Sequence, residues 1–90
     1  MHAAVVRANV PGGPNEARLQ NLRERIVPRV SSQPGFIAGY WTEAREDLGL
    51  SFVVFEDEAS AKAGAPAPGA DMGEGVTIAS VEFREVVANA

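Results

Sequence analysis

Hydrophobic and polar positions along this chain follow two different periods. His2 to Val10, HAAVVRANV, is rich in Val and Ala and stops at PGGP, which predicts a first strand closed by a turn. From about Pro14 to Ser32 the spacing turns helical, with Leu19, Leu22, Ile26 and Val30 three or four residues apart on one face. Pro14 suits a first helical turn, and Glu16 suits the positive end of the helix dipole. Pro28 interrupts the pattern: inside a helix it removes the bond to residue 24 and crowds the preceding turn, so a bend or break is expected there. SQPG then ends the helix.

Phe36 to Glu43, FIAGYWTE, reads as strand two, AREDLG as a polar hairpin connection, and Leu50 to Glu56 as strand three. Acids followed by alanines in EDEASAKAGA suit a short second helix from about Asp57 to Ala65. Residues 66 to 75, PAPGADMGEG, carry so much Pro and Gly that neither helix nor strand is expected, only a mobile loop. Val76 to Ala88 is a long final strand. The order βαββαβ predicts an α+β, ferredoxin-like domain over residues 1–90: a four-stranded antiparallel sheet with both helices on one face.

That arrangement leaves one face of the sheet without a cover. Phe52, Val53, Val54 and Phe55 put apolar groups on both sides of their strand, as do the residues of AAVVRAN. A second copy of the chain, related by a two-fold axis, is the expected cover. The alternative is a monomer whose open face is simply rich in Val.

Composition narrows the function classes. The chain is 46% hydrophobic and 22% charged, which fits a folded protein and not a disordered one. Without cysteine there are no disulfides, thiolate metal sites or cysteine nucleophiles. A net charge of −4 argues against a general nucleic-acid binder. No run approaches the roughly 20 apolar residues of a membrane span, and MHAAVVRANV reads as a strand and not as a signal peptide, so a cytoplasmic location is expected.

The long first helix ending in SSQPGFIAGYW, then SFVVFEDEASAKA and the terminal EFREVVA, resemble the antibiotic biosynthesis monooxygenase-like family of the dimeric α+β barrel superfamily. PGF and the F-x-x-E-A step into helix two carry the resemblance most directly. It implies two ferredoxin-like sheets paired face to face, and activities that include oxygenation of aromatic phenols or quinols without metal or organic cofactor. One branch degrades haem with an Asn, a Trp and a His ligand; the matching places here hold Val6 and Phe55, and helix two through Gly75 has no His. Haem degradation is therefore not expected.

Candidate chemistry is sparse. His2 is the only histidine, so a multi-His metal site is excluded, and its place at the start of a strand suits a solvated side chain. Arg7 and Asn9 share a strand face with Ala3 and Val5; Arg7 needs a carboxylate such as Glu82 or Glu85, or else an anionic ligand such as a phenolate. Tyr40 and Trp41 must point to opposite faces of strand two, as core residues or as walls of a pocket. Val6, Leu22, Ile26, Phe55 and one of that aromatic pair are the expected ligand-binding wall between sheet and helices. Arg18, Arg25 and Arg29 read as a solvated helix flank. No G-x-S-x-G, Rossmann or phosphate-loop pattern is present.

Two readings follow. The first is a homodimeric, monooxygenase-like protein acting on a small aromatic compound without a cofactor, with Arg7, Asn9, His2 and Tyr40 as candidate catalytic groups. The second is a non-catalytic dimeric module that binds a small hydrophobic metabolite or a protein partner.

Overall fold

In the computed structural model, which describes residues 1–90, strand β1 (His2–Asn9) lies at the centre of a five-stranded antiparallel sheet. Its neighbours are β3 (Leu48–Phe55) on one side and β5 (Val76–Glu85) on the other. The edges are β2 (Phe36–Trp41) beside β3 and the short β4 (Asp71–Gly73) beside β5. The expected four strands are present, in an order compatible with a ferredoxin-like arrangement.

The fifth strand corrects the reading of residues 66 to 75 as loop alone. Glycine, taken there as a strand breaker, is what a tight reversal requires: Gly73, Glu74 and Gly75 all have positive φ. The Asp71 carboxylate accepts from the Gly73 N–H at 2.9 Å, and Asp71 and Gly73 then pair with Thr77 and Val76. The β2–β3 connection is also tighter than expected. Arg45 and Leu48 exchange two 2.9 Å backbone bonds around Glu46 and Asp47, whose φ values of 53° and 62° make a two-residue hairpin turn.

Pro28 does not end the helix. Helix α1 (Glu16–Asn21) is capped by Asn15, whose side chain accepts from the Arg18 N–H at 2.8 Å. It runs on through a π-helical segment (Leu22–Ile26) into α2 (Val27–Ser31). The Val27 N–H donates to the Leu22 carbonyl, one residue further back than in an α-helix. Pro28 follows directly on this widened turn, at the start of α2. Asp57 caps α3 (Glu58–Gly64) by accepting from the Ser60 N–H at 2.7 Å.

The helices cover one face of the sheet. Val30 of α2 and Ala61 of α3 pack on Val53 and Phe55, with Ile26, Phe36 and Trp41 around them; Ala4, Val6 and Ile78 form a second cluster. Only ten of ninety residues are buried, and none of these lies on α1 or the π segment. Of α1 and the π segment, only Ile26 packs against the buried core.

On the other face, register places Tyr40, Phe52, Val5 and Glu82 in one row across four strands. Tyr40 is 67% exposed, and Leu48, Leu50 and Phe52 are each more than 40% exposed. No element of the chain covers them. No helix is long and apolar enough to cross a membrane.

A candidate ligand cavity between sheet and helix

The stand-off of the front half of the helix leaves a partly enclosed cavity of about 270 Å³. Its floor is the helix-facing row of the sheet, including Ala4, Val6 and Ala8 of β1, Val53 and Phe55 of β3, and Ile78 of β5. Leu19, Leu22 and Ile26 form the roof. This explains why an apolar stripe at regular helical spacing ends up only partly buried: it faces a space and not side chains. Trp41 and Met72 supply further wall.

Trp41 reaches the cavity because Gly39 lies beneath it. The indole folds back along its own strand, and a Cβ on residue 39 would stand 2.7 Å from two of the indole ring atoms. At the far end the cavity is stopped by Phe55, fully buried and edge-on to Phe36 at 6.2 Å between ring centres.

Volume sets what can be done here. An apolar cavity of about 150 Å³ is enough to take a benzene ring, so this partly enclosed space has room for a small aromatic molecule.

The residues expected to form a binding wall are mostly brought together. Val6, Leu22, Ile26, Trp41 and Phe55 all line the cavity. Tyr40 does not: strand alternation and its pairing with Phe52 send it to the open face.

The groups proposed for catalysis are not assembled at this cavity. Arg7 and Asn9 take the open face, where the Arg7 guanidinium meets the Glu82 carboxylate at 3.3 Å and Asn9 donates to Thr77 Oγ1 at 3.4 Å. Of the two carboxylates considered for Arg7, Glu82 is the partner. Arg84 binds the same carboxyl at 2.9 Å and, with Arg7, holds it below the usual range. His2 lies at the opposite end of β1, with Nε2 3.6 Å from Glu58 and Nδ1 buried without a partner. Glu58 is held low by its hydrogen bond and ion pair with Lys62, and then by His2. No three His, Cys, Asp or Glu side chains converge as a metal ion would require.

None of the polar residues that line the cavity was nominated from sequence, and two of them make long-range hydrogen bonds. Asn21 Nδ2 donates to the Met72 carbonyl at 2.9 Å. Arg18, read as part of a solvated flank, donates from Nε to the Glu74 carbonyl at 2.9 Å and from Nη1 to the Pro11 and Gly13 carbonyls at 2.6 and 2.5 Å. Both tie α1 to the β4–β5 hairpin. No signal in the sequence marked them, because their partners are backbone carbonyls up to 56 residues away. The chain matches no protein-family model and no curated protein.

Proposed function

We propose that the chain is a homodimeric, monooxygenase-like protein that encloses a small aromatic or otherwise hydrophobic molecule between its sheet and its long helix. The observation that carries this reading is the apolar cavity of about 270 Å³ beneath α1 and the π segment, walled by Trp41, Leu22, Ile26 and Phe55. Ligand sites are mainly apolar clefts with a few polar anchors, and this one has Arg18 and Asn21 at its edge.

The dimer rests on the other side of the sheet. Four strands about 4.8 Å apart, of six to ten residues, project to roughly 500 Å², an area of the same order as the roughly 800 Å² per partner of a stable interface. The row through Tyr40, Phe52 and Val5 supplies apolar surface such an interface needs, and the Arg7–Glu82–Arg84 cluster adjoins it on β1 and β5. A second copy placed sheet to sheet makes the barrel that the sequence resemblance implies.

The catalytic part of this proposal is oxygenation of the bound molecule. A phenol reacting with dioxygen to give a quinone and water supplies the electrons itself, so it asks the protein for desolvation and for stabilisation of the phenolate. The apolar walls and the one cation at the cavity, Arg18, match those two requirements. Incubating the protein with a panel of phenols and quinols under air and under nitrogen tests this: oxygen-dependent product is expected. Binding without turnover would leave a carrier or sensor of a hydrophobic metabolite, and neither binding nor turnover would remove the proposal.

A further inference from the structure

We infer that the molecule taken by this cavity is a small apolar acid, with its anionic group held by Arg18. The inference rests on the binding role proposed above and adds the chemical class of the ligand. Charge at the cavity is unequal. Of the two charged residues that line it, Glu43 pairs with Arg45 at 2.9 Å, whereas none of the protein's five ion pairs includes Arg18.

Arg18 is also held in place. It is half-buried while every other residue from Pro14 to Gln20 is exposed, and three carbonyls fix Nε and Nη1. Nη2 has no protein partner. It rests against Gly75, where a Cβ would approach it to 3.2 Å, so glycine there leaves the nitrogen room. A guanidinium fixed in position, without a carboxylate and with one arm unused, is prepared for an anion at little further ordering cost.

The topology separates the two halves of such a ligand. The Phe55 end of the cavity belongs to the packed core of Val30, Val53 and Ala61. The opposite end gathers Arg18, Thr42 and Glu43 where β1 and β2 finish and β3 and β5 begin. An apolar ring fits toward Phe55, and its acid group fits toward Arg18.

The test compares 2-naphthoate with its neutral counterpart 2-naphthamide by titration calorimetry on the full chain at pH 7. Naphthoate is expected to bind at least about tenfold more tightly, as a hydrogen bond to a charged group should allow. Raising the salt concentration should erode that preference and leave naphthamide unaffected. Arg18→Met should reduce naphthoate to the affinity of naphthamide, with Arg18→Lys in between. Equal binding of the two probes by the wild-type protein overturns the assignment of an acid and leaves the cavity reading standing. A preference that survives in Arg18→Met overturns the role of Arg18. Failure of both probes to bind overturns the inference together with the binding role beneath it. Because the wild-type comparison and its salt dependence need no variant, the test stands even if Arg18→Met loosens the fold.

Discussion

Phe52→Asp is the sharpest test of the open sheet face. Phe52 sits in the middle of β3, between Tyr40 and Val5, and keeps 42% of its surface exposed in the single chain. A phenylalanine carries about 200 Å² of surface, so about 80 Å² remains to be covered, worth about 2 kcal/mol at about 25 cal/mol per Å². A two-fold interface contains the residue twice, so its loss should weaken the dimer by about 4 kcal/mol, roughly a thousandfold in dissociation constant. Desolvating the new carboxylate adds to that loss. Light scattering at micromolar concentration should report twice 9.5 kDa for the wild type and 9.5 kDa for the variant. Val87→Asp, altering a residue 92% exposed and beyond the end of β5, should leave the mass unchanged. A wild-type particle of 9.5 kDa, or a Phe52→Asp protein of undiminished mass, would refute the sheet-to-sheet dimer.

Three further outcomes are expected. Ala8→Leu places a larger side chain on the cavity floor; the melting temperature should rise, by the equivalent of about 1 kcal/mol, while naphthamide binding measured by calorimetry falls away. Glu46→Asn relieves a side chain with φ of 53° in the β2–β3 turn, a conformation Asn accepts more readily, so denaturant unfolding should show a gain of about 1 kcal/mol. The Asp57 carboxyl is held below its usual range, first by the Ser60 backbone N–H and then by the Ser60 hydroxyl. A depressed carboxyl contributes stability that is complete above its unfolded pKa and is lost as pH falls through its folded one. Acid unfolding followed by circular dichroism should thus be shallower below the ordinary carboxylate range in Asp57→Asn; identical profiles would remove Asp57 from the acid transition.

Local pattern determined much of this protein. The Val-rich runs of β1 and β3 bounded by turn residues, the helical spacing of Leu19, Leu22, Ile26 and Val30, and the acid-to-alanine step at Asp57 each specify an element through side chains near in sequence. From those elements came the α+β class, the uncovered sheet face, and five of the residues around the cavity. What depended on distant partners was not readable. β4 exists because glycines allow a tight reversal onto β5, and the same glycines suggest only a loop when no partner strand is in view. Pro28 follows directly on a widened helical turn, which side-chain spacing does not encode. Alternation required Tyr40 and Trp41 to part, but only the bulged register with β3 and the space over Gly39 decided that Trp41 turns inward. Arg18 moved from a solvated flank to the edge of the cavity because folding brought three carbonyls to its guanidinium, and backbone acceptors look alike at every position of a sequence.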